Sequence, residues 1–101
     1  MNLTRLNHFI ALGQSGKKAD IDLLMHALVT RDDLATCKLV DYALSHVSSL
    51  EGVERLRHYL FNGHRSQRNY AALYFKRRGF VDILDEAFAQ GKIDWKQAFA
   101  E

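Results

Sequence analysis

Basic side chains are concentrated in one stretch of the chain, and they are of the kind that binds an anionic partner. Residues 51–79 contain seven basic and two acidic residues, whereas residues 80–101 contain two basic and five acidic ones. In a helix over 64–78 the cations fall on or beside one stripe that could contact phosphate groups or an acidic protein. The candidate partner-binding residues are Arg65, Arg68, Asn69, Lys76, Arg77 and Arg78.

The same basic residues have an alternative, structural explanation. Cations near the end of a helix stabilise its negative C-terminal end, and this would account for Lys76 and the two arginines that follow it. Arg68 could form an ion pair with Glu51 or Glu54. The net charge is +5 over residues 51–79 and −3 over residues 80–101. This contrast could likewise arise from neighbouring helices of complementary charge, within one chain or between chains.

Histidine is the next residue type that could do chemistry, as a metal ligand. The chain has five histidines, and His26, His58 and Glu86 occupy equivalent positions in three similar helical segments. If those helices stack, neighbouring members of this column lie about 10 Å apart, whereas zinc needs its nitrogen and oxygen ligands at about 2.0–2.2 Å. The sequence therefore predicts surface histidines, no metal site and no cofactor.

No catalytic group is recognisable in the sequence. Cys37, the one cysteine, lies in an apolar helical pattern that predicts a small buried side chain, and it excludes an internal disulfide. There is no glycine-rich phosphate loop and no nucleophile placed beside a base. No apolar run approaches the roughly 18 residues of a membrane span. We therefore expect a cytoplasmic protein that does not contact a membrane and is not an enzyme.

The elements that would position these residues are predicted to be helices throughout. Proline is absent and 48% of the 101 residues are hydrophobic, as expected for a single helical domain over 1–101 with its own core. Apolar residues at steps of three and four predict seven helical segments. Their predicted spans are 3–13, 18–29, 34–48, 48–62, 64–79, 80–90 and a short turn from 94.

Helix ends are predicted from residues that can cap them. Ser48 with Glu51, and Thr30 with Asp33, have the spacing of a capping box, and Asp94 is a natural N-cap. Glycine tolerates the left-handed conformation that ends many helices. Such C-terminal signals are present at Asn62-Gly63, Gly79 and Gly91.

Internal repetition decides the predicted architecture. The segments IDLLMHAL from Ile21, VERLRHYL from Val53 and VDILDEAF from Val81 share one apolar register, at periods of 32 and 28 residues. Three units of two helices predict a right-handed α-solenoid fragment of about three helix pairs with a short C-terminal turn. An all-α bundle without repeat geometry is the alternative, because amphipathic helices share leucine spacing.

One segment resembles a known family of helical repeats. RNYAALYFKRRG, which starts at Arg68, resembles the second helix of a HEAT-type repeat, with an arginine, paired alanines, a large apolar residue and a closing glycine. The following FVDILDEAF is similar to the first helix of the next unit. The similarity is clearest over 53–88 and fainter over 5–48, and the period is shorter than that of long HEAT units and closer to the compact HEAT-like variety. The resemblance implies an interaction scaffold and assigns no catalytic residue.

Two functions of different classes follow as expectations. The first is a noncatalytic scaffold that binds a protein partner or a second copy of itself, for example as a homodimer. In this reading Trp95 and Phe99 cover one end of the core, and Leu3, Leu6 and Phe9 leave an apolar face open at the other. The alternative is a nucleic-acid-binding module that uses the basic helix over 64–78.

Overall fold

Seven helices and their short connections make up the part of the chain that the structure describes. The computed structural model describes residues 3–31 and 33–100, and these contain no strand, which confirms the all-α prediction. The helices are α1 (Leu3–Ser15), α2 (Lys18–Thr30), α3 (Leu34–Leu44), α4 (Leu50–Asn62), α5 (Arg65–Arg77), α6 (Val81–Ala89) and α7 (Trp95–Phe99).

The chain divides into two compact units, and the boundary falls within α4. Unit 1 is Met1–Arg55 and unit 2 is Leu56–Glu101. The single domain over 1–101 stays a prediction.

Unit 1 is built from three mutually packed helices, α1, α2 and α3. The apolar residues at steps of three and four in the predicted second helix, Ile21, Leu24, Met25 and Leu28, form its buried face. The third helix was predicted to continue to Ser48 but ends at Leu44. Two tight backbone turns follow, in which the N–H groups of His46 and Val47 donate to the carbonyls three residues earlier, and they return Val47 to the core.

A glycine allows α1 to lie directly against α3. Gly13 is buried, and a Cβ at this position would overlap the carbonyl oxygen of Ala43 and lie 2.8 Å from its carbonyl carbon. Both atoms belong to the backbone, so a side chain could be accommodated only by moving the helices apart.

The N-terminal caps differ from those predicted in α3 and α4. Ser49, and not Ser48, caps α4, because its Oγ accepts from the N–H of Gly52 at 3.0 Å. Asp33 caps α3 itself and accepts from the N–H of Thr36 at 2.7 Å. Both capping boxes predicted from sequence spacing are therefore wrong, and in each case a tertiary contact decides which polar residue caps the helix.

For α4 that tertiary contact is with the turn between α1 and α2. The Ser49 hydroxyl donates to the carbonyl oxygen of Gly16 at 2.8 Å, and Gly16 has a positive φ of 63°. A hydroxyl one residue earlier in the chain would not meet this carbonyl.

For α3 the contact is with α1. Arg5 donates to the hydroxyl of the fully buried Thr36, and that hydroxyl donates to Asp33 at 2.9 Å. The predicted partner of Asp33 is elsewhere, since Thr30 is the last residue of α2 and its hydroxyl donates to the carbonyl of His26 at 3.0 Å. The two hydrogen bonds from Thr36 lower the pKa of Asp33, and the charges of Arg5 and Arg31 act in the same direction.

Within unit 1, polar contacts join α2 to the first turns of α4. The Glu51 carboxylate accepts from the backbone N–H of Lys18 at 2.6 Å, at the positive N-terminal end of α2. Arg55 binds the Asp22 carboxylate through two nitrogens, at 2.6 and 3.2 Å. Each of these pairs is separated by 33 residues, so α2 and this part of α4 run in the same direction.

Unit 2 contains α5, α6 and α7, which also pack on one another. The alanine pair and the large apolar residue of the repeat-like segment lie in its core, since Ala71, Ala72 and Phe75 are buried. Leu84 and Ala87 are buried on α6, but Val81 and Phe88, which shared the predicted apolar stripe, are exposed. The nine-residue α6 therefore buries a narrower stripe than its sequence pattern suggests.

Two of the predicted glycine stops are confirmed. Gly79 and Gly91 have φ angles of 73° and 72°. After Gly79 the N–H of Phe80 donates to the carbonyl of Phe75 at 3.0 Å, and after Gly91 the N–H of Lys92 donates to that of Ala87 at 2.9 Å. These are the six-to-one bonds of a Schellman motif.

Gly63 does not have the left-handed conformation predicted for it. It is required for space, because a Cβ there would lie 2.7 Å from the Tyr59 carbonyl oxygen and 2.9 Å from the Cβ of Gln67. The Gln67 side chain accepts from the N–H of His64 and so caps the start of α5.

Candidate functional site

The predicted basic stripe lies on α5, and the structure gives most of its members structural partners. At the start of the helix, Arg65 contacts the Asp94 carboxylate at 3.2 Å. Asp94 is also the predicted N-cap of α7, where it exchanges hydrogen bonds with Gln97 in a complete capping box. The Arg65 side chain is 77% exposed, so solvent screens the pair and its contribution to stability is small.

The cation at the other end of the stripe also contacts the last part of the chain. The Lys76 ammonium donates to the backbone carbonyl of Ala100, immediately after α7. Arg65 and Lys76 thus contact the residues that flank the two ends of α7. This arrangement agrees with the structural explanation of the basic residues and does not require an external anion.

Arg68, the residue at the repeat-like position, is half-buried on α5. One guanidinium nitrogen donates to the carbonyl of Gly63 at 3.0 Å. Its Nε is buried and, among the residues that the structure describes, has no hydrogen-bond partner. Of the two acids considered as its partners, Glu51 accepts from the backbone of Lys18. The predicted ion pair of Arg68 stays a prediction.

The remaining candidates are Asn69, Arg77 and Arg78. Asn69 is half-buried and Arg77 and Arg78 are exposed. The Arg78 guanidinium lies over the ring of Tyr74, 4.4 Å from its centroid. Burial raises the pKa of Tyr74, and the positive charge of Arg78 partly opposes that rise. Binding of a partner by these six residues stays a prediction.

The histidine column is exposed at each of its positions. His26, His58 and Glu86 all lie at the surface of their helices. Glu86 accepts from Arg57 at 3.1 Å within unit 2, and His58 packs edge-on against the ring of Tyr59. Across residues 3–31 and 33–100, no three histidine, cysteine or acidic side chains are grouped closely enough to hold a metal ion. Cys37 is a half-buried free thiol and so is less buried than predicted.

The aromatic side chains of α7 lie more exposed than the sequence predicted. Trp95 and Phe99 were expected to cover the core, but they are 61% and 42% exposed. Phe88 of α6 is 40% exposed, and the centroid of its ring lies 5.3 Å from the centroid of the Phe99 ring. The centroids of the Trp95 and Phe99 rings are 6.1 Å apart. We call Phe88, Trp95 and Phe99 the aromatic cluster.

The physical reason for this difference is the shortness of α7. A five-residue helix has one inner face, and Gln97 and Ala98 occupy it, with exposures of 6% and 1%. Gln97 is held there because its side chain accepts from the N–H of Asp94, while its own N–H donates to the Asp94 carboxylate. Trp95 and Phe99 are therefore turned outward. The Asp-x-x-Gln spacing was the sequence signal that could have predicted this orientation.

No helix within residues 3–31 and 33–100 combines the length and the apolar character needed to cross a membrane. Comparison of the chain with models of known protein families, with curated proteins and with solved structures found no match.

Proposed function

We propose that this protein is a noncatalytic helical-repeat scaffold that acts by binding protein, either a partner or another copy of itself, with the architecture of a short α-solenoid. The observation that carries the proposal is the recurrence, in each unit, of charged contacts that share one chain separation, although Arg5–Thr36 and Lys76–Ala100 have separations of 31 and 24 residues. Unit 1 has contacts at a separation of 33 residues, and unit 2 has Arg57–Glu86 and Arg65–Asp94 at 29.

These separations agree with the sequence repeat. They exceed the apolar periods of 32 and 28 residues by one in both units. A repeat protein makes equivalent contacts between successive units, and it offers extended surfaces for binding. The same periodicity in apolar register and in polar contacts therefore supports a repeat architecture more strongly than leucine spacing alone.

The second support is the use of the charged side chains. Arg65 and Lys76 contact the residues that flank α7, while Arg55, Arg57 and Glu51 join neighbouring helices within their units. The apolar and aromatic residues that remain exposed include Leu23, Tyr42 and the aromatic cluster. Exposed groups of large apolar side chains are typical of protein-binding surfaces.

Site-specific photo-crosslinking of the intact chain in its source cell would test the proposal. A photoreactive residue would replace one exposed apolar residue at a time, Leu23, Tyr42 or Trp95, and an exposed polar one, Gln14, as the control. We expect discrete protein adducts at one or more apolar positions and none at Gln14. If no position gives a protein adduct, the scaffold proposal is wrong.

The nucleic-acid alternative has its own test. A variant in which Arg65, Arg68, Lys76, Arg77 and Arg78 are changed to glutamine would be compared with the wild type in a gel-shift titration at two salt concentrations. Phosphate binding by these residues would give a log–log salt slope of about 0.9 per phosphate contacted on duplex DNA, and the variant would lose it. Under the scaffold proposal, neither protein shows salt-sensitive binding at physiological ionic strength.

A further inference from the structure

The aromatic cluster on α6 and α7 is exposed and has charged residues of both signs beside it. Phe88 is preceded on α6 by Asp85, three residues earlier, and by Asp82, three residues before that. Residues three apart are neighbours on a helix surface, so the two acids continue the row that ends at Phe88.

Two lysines lie in the segment between Phe88 and Phe99. Lys92 follows the left-handed turn at Gly91, and Lys96 lies three residues before Phe99 on α7. Both lysines are exposed, as are both aspartates. Among the residues that the structure describes, none of the four side chains forms an ion pair. Two acids on α6, one lysine in the connection that follows it and one lysine on α7 thus adjoin the cluster in sequence, without an ion pair among the described residues.

We propose that a second copy of this chain docks on this surface about a twofold axis, with the aromatic clusters in contact and the aspartates of each copy facing the lysines of the other. This inference rests on the proposed scaffold function and names its partner and surface.

The charge pattern is the reason for choosing a second copy. In a twofold contact the same patch is present on both sides, so a patch with two acids and two lysines can place each charge of one copy against the opposite charge of the other. A partner that was strongly acidic or strongly basic would be repelled by either the two aspartates or the two lysines. Exposed tryptophan and phenylalanine supply the apolar centre that such an interface needs.

The expected contact is small. Three partly exposed aromatic side chains per copy form only part of the approximately 800 Å² that each partner buries in a standard interface. The dimer is therefore expected to dissociate on dilution, and its formation should follow the protein concentration.

Sedimentation velocity of the full chain from about 5 µM to about 1 mM would measure this equilibrium. The wild type should shift from monomer to dimer over the range, and Trp95→Gln should weaken the dimer at least tenfold. Gln14→Ala, on the exposed face of α1, is the matched control and should dimerise as the wild type does. A wild type that remains monomeric throughout, or a Trp95→Gln protein that dimerises normally, would overturn the proposal.

Charge reversal tests the twofold arrangement itself. One variant carries Asp82→Lys and Asp85→Lys, and the other carries Lys92→Glu and Lys96→Glu. Each alone brings like charges together across the contact and should lose at least tenfold in self-affinity. An equimolar mixture restores opposite charges across the contact and should form a mixed dimer. If the mixture does not associate, this surface is not a twofold interface.

Circular dichroism melting of each variant separates lost association from lost folding. The outcomes also distinguish failure of the proposed dimer from failure of the scaffold function. If the wild type is monomeric but still crosslinks to a different protein through position 95, the proposed dimer is wrong and the scaffold function is retained. Absence of both self-association and protein adducts overturns both.

Discussion

Gly13 lies against the backbone carbonyl of Ala43, and the contact leaves no room for even a methyl group. A Cβ at Gly13 would overlap the Ala43 carbonyl oxygen, and both partners are backbone atoms on packed helices. This contact sets how closely α1 approaches α3 in unit 1.

Gly13→Ala should therefore destabilise the protein. The intrinsic helix preference for alanine over glycine favours the variant by about 1 kcal/mol, but overpacking against backbone should outweigh it and give a net loss of about 1–3 kcal/mol. Urea unfolding would measure the difference, with Gln14→Ala on the exposed side of the same helix as the control. Equal stability of Gly13→Ala and wild type would contradict the close approach.

Ser49 and Ser48 form a matched pair for testing the start of α4. The Ser49 hydroxyl accepts from the N–H of Gly52 and donates to the carbonyl of Gly16, whereas Ser48 is exposed. Ser49→Ala should lower the free energy of unfolding by about 1–2 kcal/mol, since it removes a cap and leaves a part-buried carbonyl without its partner. Ser48→Ala should have little effect. The reverse order would support the capping box predicted from spacing.

The pKa of Asp33 predicts how stability depends on pH. Hydrogen bonds from Thr36 lower that pKa in the folded protein. The contribution of the ionised carboxylate is therefore fully present above the unfolded value of about 3.9, and it is lost as pH falls through the folded pKa.

Asp33→Asn isolates this effect, because asparagine is also a good N-cap but does not titrate. The wild type should be more stable than the variant at pH 6, and the difference should shrink steadily below about pH 4. Melting temperatures of both proteins between these conditions provide the measurement. A difference that is independent of pH would mean that the charge of Asp33 has no role.

Arg68 is the arginine of the segment that resembles a HEAT-type repeat, and substitutions there test how much it contributes to stability. Its stem is half-buried and it donates to the Gly63 carbonyl, but its buried Nε has no hydrogen-bond partner among the described residues. Arg68→Ala should lose about 1–2 kcal/mol through lost packing and one lost hydrogen bond.

Arg68→Met should lose less, because methionine retains an apolar stem and removes the unpaired donor. Thermal melting of the two variants ranks them. If methionine were as harmful as alanine, the guanidinium itself, and not the stem, would account for the stability.

The sequence alone determined the helical class and most helix positions. Absence of proline, the steps of three and four, and the glycines at 79 and 91 are local signals, and local backbone preferences respond to them directly. The buried face of α2 and the cap at Asp94 were predictable for the same reason, since one helix is enough to define them.

Tertiary structure alone decided which of several equivalent residues is used. Ser48 and Ser49 have the same chemistry, and only the carbonyl of Gly16 selects Ser49. Arg65 and Lys76 could have faced a ligand by their spacing, but Asp94 and the Ala100 carbonyl lie within reach of them. In both cases a contact between residues distant in the chain makes the choice.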